Sequence, residues 1–259
     1  MDNQWPAYAD ITAERRDNIA LVTLARPAAA NALSSTTVRE LSDAIAVVAR
    51  DDSVRALVLT GSGDKVFCAG ADLKERTANP GKDWEIRRPL MKFWNDLFML
   101  QKPLVVAANG HAAGGGFELL MLADAVVISE NAQCWLPEIQ WGGIPGGWGT
   151  QLLPRLVGPV RARWIVLGCQ RLSSQEVLDM GLATHRVPRA EVLHRALDAA
   201  RLLAAQPAAA VACAKEALRH ALSTPLATGV EFEDRLLQIA TGSPEREAGL
   251  KRFAQGKRA

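Results

Sequence analysis

Two glutamates, Glu118 and Glu138, stand twenty residues apart, and each lies beside a run of glycines. Glu118 follows Gly114-Gly115-Gly116-Phe117. Glu138 follows Pro137 and leads into Gly142-Gly143-Ile144-Pro145-Gly146-Gly147. A carboxyl pair can divide general-acid and general-base work when its two pKa values are held apart. Glycines leave the main chain bare, so backbone N–H groups can face a ligand at close range. Fixed N–H donors of that kind stabilise an oxyanion. Taken singly, a first-turn glutamate is an ordinary dipole-favoured residue and a glycine triplet an ordinary tight turn. Only their conjunction reads as an acid/base pair with an oxyanion hole between its members.

Several elements must position these groups. Leu104–Ala108 is an apolar run that suits a buried strand, and it passes through Asn109-Gly110 into the glycines. Phe117–Ala123 is a good helix former, which puts the glycines at a helix N-terminus and Glu118 in its first turn. Upstream, Ile11–Arg15 and Ile19–Leu24 predict a hairpin around Asp17-Asn18. Val38, Leu41, Ile45 and Val48 give Thr36–Arg50 a helical stripe, and Ala56–Thr60 reads as a buried strand. In Val66–Lys74, Ala69, Gly70 and Ala71 are all small, so a ligand could approach the main chain there too. Lys74 offers a cation for a phosphate, or an ordinary surface charge.

Further along, Thr77–Lys82 with Pro80-Gly81 predicts a mobile loop. Asp83–Gln101 predicts a long amphipathic helix on Trp84, Leu90, Met91, Trp94, Leu97 and Phe98, closed by Pro103. Gly146–Leu156, Val160–Leu167 and Ser173–Met180 read as short helices, the last opening on a capping box from Ser173 to Glu176. His185–Val187 is the last strand-like run. From Arg189 onward three or four helices follow. The expected division is a strand-bearing core over 1–188 and a helical region over 189–259.

Composition bounds the function. The 259 residues are 49% apolar and 22% charged, ordinary for a globular α/β chain with an appendage. A net charge of +2 and no interleaved basic–aromatic motif leave no nucleic-acid footprint. Cys68, Cys134, Cys169 and Cys213 are scattered, with no CxxC, so no metal site is predicted and reduced thiols are expected. The opening stretch lacks the layout of a secretory signal, and Asp2, Asp10 and Glu14 argue against a transit peptide. No apolar run approaches the roughly 20 residues that cross a bilayer. The expectation is a cytoplasmic protein with neither membrane nor nucleic acid as partner.

With these residues in place, the chain resembles the crotonase superfamily, the enoyl-CoA hydratases and isomerases. The matching motifs are Arg26-Pro27…Asn31-Ala32-Leu33, Phe67 to Glu75 (FCAGADLKE), and Asn109-Gly110…Gly114-Gly115-Gly116-Phe117-Glu118-Leu119. To these are added Pro137-Glu138-Ile139, Ile144-Pro145-Gly146, Gly149-Thr150-Gln151 and Gly181-Leu182-Ala183. They run in register from about Ile11 to Phe253.

The resemblance implies an α/β fold, a crotonase-like spiral of ββα turns followed by C-terminal helices that pack trimers, often paired into hexamers. It implies an acyl-CoA thioester whose carbonyl is held by Ala71 N–H and Gly115 N–H, with Glu118 as base and Glu138 as acid. Ala69, Asp72, Leu73 and Lys74 would line the CoA entrance, and Gly146 N–H would help to hold the attacking water. No cofactor is implied beyond the coenzyme A of the substrate. Because both glutamates are present, hydration of an enoyl-CoA is the expected reaction. Isomerisation or another crotonase lyase reaction is the alternative, and a CoA-ester or RNA-binding protein without turnover is a third. The chain departs from its relatives at Ala28-Ala29-Ala30, where a basic residue is common. It also departs at Trp135 and Trp148, which either narrow the acyl pocket or pack elsewhere.

Overall fold

The computed structural model describes residues 5–256. The first four residues, part of the opening stretch read above, and the last three lie outside them. In chain order the strands are β1 (Ile11–Arg16), β2 (Ile19–Leu24), β3 (Ala56–Gly61), β4 (Val66–Cys68) and β5 (Leu104–Ala108). They continue with β6 (His111–Ala113), β7 (Ala125–Ser129), β8 (Gln133–Trp135), β9 (Leu172–Ser173) and β10 (His185–Val187). Helices α1 (Ser35–Arg50), α2 (Leu73–Ala78), α3 (Asp83–Phe98) and α4 (Gly115–Leu122) precede α5 (Gly149–Val157), α6 (Pro159–Leu167) and α7 (Ser174–Asp179). Four more close the described chain: α8 (Val192–Ala204), α9 (Ala208–Ala221), α10 (Leu226–Thr241) and α11 (Pro244–Ala254).

One sheet has the order β1-β2-β3-β5-β7-β10 and the other β4-β6-β8-β9. The hairpin β1–β2 is antiparallel, turned by Asp17 at φ 57°, and β2, β3, β5, β7 and β10 run parallel. Parallel neighbours need a crossover, and here each turn of chain supplies one. β3 and β4 are followed by α2 and α3, β5 and β6 by α4, and each turn gives one strand to each sheet. This is the expected ββα spiral. Strands β3 and β5 are buried along their whole length, which is why they read as continuous apolar runs.

The main core lies under α1, α3 and α4, around Phe67, Phe93, Trp94 and Phe117. The opposite face of the large sheet is covered by α8, where Val192, Ala196, Leu197 and Ala200 pack on Leu21, Val58, Val105 and Ala107. Within the helical region that starts at 189, α8 therefore packs as a layer on the large sheet, and α9 to α11 follow it.

Other expectations need local correction. The segment predicted as a loop from Thr77 is partly helical, because Asp72 caps α2 by accepting from Lys74 and Glu75 N–H. Helix α3 stops at Phe98 and contains Pro89, and Trp84 on its first turn is exposed rather than core. Among the described residues no helix is long and apolar enough to cross a membrane.

Candidate active site

The site begins as main chain. Gly70 has φ +84°, and a Cβ there would lie 2.7 Å from Ala113 O and 2.8 Å from Gly115 N. The end of β4 and the start of α4 therefore meet backbone to backbone, a contact only glycine permits. Leu33 N–H donates to Gly70 O and Asp72 N–H to Leu33 O, which pins the strand-like bridge Leu33–Ala71. Between these bonds Ala71 N–H has no acceptor among the described residues. Gly115 N–H, the first of α4, has none either. The structure thus brings Ala71 and Gly115, chosen from the sequence, to one place.

The two glutamates flank it. Glu118 is buried, at 2% exposure, and its Oε1 accepts from Gly147 N–H and Gly149 N–H, both at 2.8 Å. A Cβ at Gly147 would lie 2.6 Å from Glu118 Oε2 and 2.5 Å from the Trp94 ring, so the loop before α5 closes on the carboxylate only because it is glycine. Glu138 starts a short 3-10 helix (Glu138–Trp141), and its Oε1 reaches within 2.8 Å of a Cβ position on Gly114, itself at φ +50°. Burial pushes the Glu118 carboxyl up to about 7. The Glu138 charge adds to the rise, while the two amide donors and the Arg87 guanidinium oppose it. Burial also raises Glu138, against its own backbone N–H and Arg76. Two buried polar atoms here, Glu138 Oε2 and Trp94 Nε1, have no partner among the described residues. Unsatisfied groups of that kind are costly in a folded core and mark a place shaped for a bound polar group.

The remaining residues chosen from sequence divide. Ala69 and Ala71 are half-buried beside Gly70, Leu73 and Lys74 stand exposed at the start of α2, and Gly146 lies half-buried next to Gly147. Asp72 has its carboxylate engaged within the chain. Its carboxylate caps α2 and pairs with Arg26 at 3.0 Å. Burial works against its charge, but the cap donors and Arg26 hold its carboxyl below the ordinary value. Both carboxylate oxygens thus have partners within the fold.

Trp148 is placed by its backbone and by Phe98. It takes the left-handed conformation, φ 77°, and its ring packs on Phe98 at 4.5 Å, facing a cleft shared with Leu152, Arg219 and Leu222 rather than the glutamates. Trp135 is held under the Arg171 guanidinium at 4.2 Å, with His111 at its edge. Sequence reasoning missed Gly147 and Gly149 as the holders of Glu118, and it missed Arg76, Trp94 and Arg87. The available signal was a cation, Arg87, spaced i−3 and i−7 from Leu90 and Trp94 on the inner stripe of α3.

A two-sheet ββα spiral, two main-chain donors free of acceptors among the described residues, and a carboxyl pair with Glu118 buried and Glu138 half-buried define a crotonase-class acyl-CoA enzyme. The family model described as enoyl-CoA hydratase/isomerase matches residues 14–259, and the chain belongs to that family. It is 36% identical over 252 residues to a mitochondrial enoyl-CoA hydratase of Pongo abelii, covering 96% of this chain and 86% of the relative. It is 35% identical over 248 residues to the 2,3-dehydroadipyl-CoA hydratase of Escherichia coli K12, covering 95% and 96%. Among solved structures, an enoyl-CoA hydratase from Bacillus anthracis superposes with a TM-score of 0.93 at 31% identity, covering 96% of this chain and 97% of that one.

Proposed function

We infer that the protein is an enoyl-CoA hydratase, adding water reversibly across the α,β double bond of an enoyl-CoA thioester. The observation that carries this is the meeting of Ala71 N–H and Gly115 N–H, both without acceptors among the described residues, beside Glu118 and Glu138. A thioester oxygen placed on those two donors gains charge as the enolate-like state forms, and a fixed donor of this kind is worth about 3–4 kcal/mol of barrier. The hydrogen-bond partners suit opposite roles for the two carboxyls. Two amide donors favour the anion of Glu118, which takes a proton from water as the oxygen bonds the β-carbon. The unpartnered Oε2 of Glu138 favours the protonated acid, which gives its proton to the α-carbon. The hydroxyl goes to the β-carbon, Glu138's proton to the α-carbon and water's second proton to Glu118, and passage of that proton from Glu118 to Glu138 restores the starting state. Gly146 N–H helps to orient the water, and Ala69, Leu73 and Lys74 border the CoA entrance, Lys74 facing the phosphates.

The helical region α9 to α11 supports a homotrimer or a hexamer of two trimers. A reducing, cytoplasmic setting is supported by four cysteines that are all free. The test follows the ultraviolet absorbance of a conjugated enoyl thioester and the mass gain of one water. Wild type is expected to hydrate, and Glu118→Gln or Glu138→Gln to lose about 10²–10⁴-fold. Full activity in Glu118→Gln, with a 3-enoyl-CoA isomerised instead, would replace hydration by isomerisation.

A further inference from the structure

We propose that the acyl group this enzyme prefers ends in a carboxylate, held by Arg87 of α3 and Arg76 of α2. The proposal rests on the hydratase reading of the site. With the thioester oxygen on Ala71 and Gly115, the α- and β-carbons lie against Glu138 and Glu118. Glu118 is gripped by Gly147 and Gly149, and the residue before them, Gly146, carries Arg87: Nη2 donates to Gly146 O at 3.3 Å. A Cβ on Gly146 would stand 2.3 Å from Arg87 Nη1, so the missing side chain is what admits the guanidinium. Acyl atoms beyond the β-carbon therefore run toward this arginine.

On α3, Arg87, Leu90 and Trp94 share one face. Trp94 is buried against Gly115 and Gly147, so Arg87 occupies an inward position where an apolar pocket would carry an apolar residue. Arg76 enters from α2 and lines a narrow cleft with Leu33, Ala71, Leu90 and two carboxylates, Asp72, which pairs with Arg26, and Glu75, which accepts from Ser35 N–H. Neither guanidinium forms an ion pair with a carboxylate among the described residues, whereas Arg26 nearby is fully engaged by Asp10 and Asp72. Both instead exert their field on the glutamate pair, Arg87 on Glu118 and Arg76 on Glu138.

A methyl-ended chain would cover these cations with hydrocarbon and strip water from unpaired charge, which is unfavourable. A terminal carboxylate gives them a planar, bidentate partner. The class of substrate is a short 2-enoyl-CoA that is the half-thioester of a dicarboxylic acid.

The test uses trans-2-enoyl-CoA thioesters of about five and six carbons, each made with a carboxylate or a methyl at the far end. Wild type is expected to favour the carboxylate by at least about tenfold in kcat/KM. Arg87→Gln or Arg76→Gln is expected to lower that ratio by about 10–100-fold, the loss of a charge-assisted hydrogen bond. Taking the ratio cancels any common effect on Glu118, Glu138 or CoA binding. Equal or better turnover of the methyl-ended chains by wild type, or a ratio unmoved in both variants, overturns the proposal and leaves hydration standing. Failure to hydrate either series defeats the hydratase reading itself.

Discussion

At the scale of a residue, Glu118 is needed as an anion where an anion is expensive. Its carboxyl is buried to 2% exposure and is pushed up to about 7 from an ordinary 4.5. Between those values the native chain holds a proton that the unfolded chain releases. Stability from this group is therefore full below about 4.5 and falls as pH rises through about 7, by an order of 3 kcal/mol in all. Glu118→Gln keeps an acceptor for Gly147 and Gly149 and removes the charge. Its thermal midpoint is expected to exceed that of wild type at about pH 8 and to match it near pH 4.5, while hydration is lost. Equal differences at both pH values in a thermal melt would mean that burial does not strain this carboxylate. The partners that hold Glu118 were not legible beforehand. Gly147 and Gly149 lie 29 and 31 residues along the chain, and glycine-rich sequence does not say which carboxylate it will wrap.

Elements carry the next level of the argument, since the donor pair exists only because β4 and α4 touch through Gly70. An alanine there meets two separate obstacles. The left-handed backbone at φ +84° disfavours a Cβ by about 1–2 kcal/mol. Pushing that Cβ away from Ala113 O, 2.7 Å off, adds about 1–3 kcal/mol. Gly70→Ala is expected to lower the denaturant midpoint and, by moving Ala71 from Gly115, to depress kcat more than KM. A folded variant with wild-type kcat would sever the link between this contact and catalysis.

The same element shows where sequence runs out. β3 and β5 were readable because buried parallel strands are unbroken apolar runs, and α1 because its stripe spans about three turns. β4, β6 and β8 are three residues each, too short for any period to register, and they exist because the larger sheet holds their neighbours in place. Arg87 escaped notice for a related reason. A stripe on α3 reports which face is inward, but not that the inner face ends at a pair of glutamates.

For the whole molecule, the unresolved balance is apolar surface. α8 was readable as a helix, yet its place in the core follows from the sheet face it covers, information no local pattern contains. Beyond it the helices are left with much to bury: Leu226 is 85% and Phe253 81% exposed, and Leu218, Leu237 and Ile239 are exposed on the same three helices. Single exposed leucines are commonplace, but a cluster along consecutive helices at one end of a chain marks an interaction surface. A stable assembly hides roughly 1,200–2,000 Å² or more, and in obligate assemblies the hidden surface is mostly apolar. The symmetry expected is that of the homotrimer, or pair of trimers, proposed above. Light scattering at micromolar concentration is expected to give a mass of three or six 27.9 kDa chains. Placing a charge at two of the most exposed positions, Leu226→Glu with Phe253→Glu, is expected to shift that mass to the single chain while far-ultraviolet circular dichroism stays that of wild type. A wild-type chain that runs as a monomer, or a double variant that keeps the assembled mass, would show that these helices meet no copy of themselves.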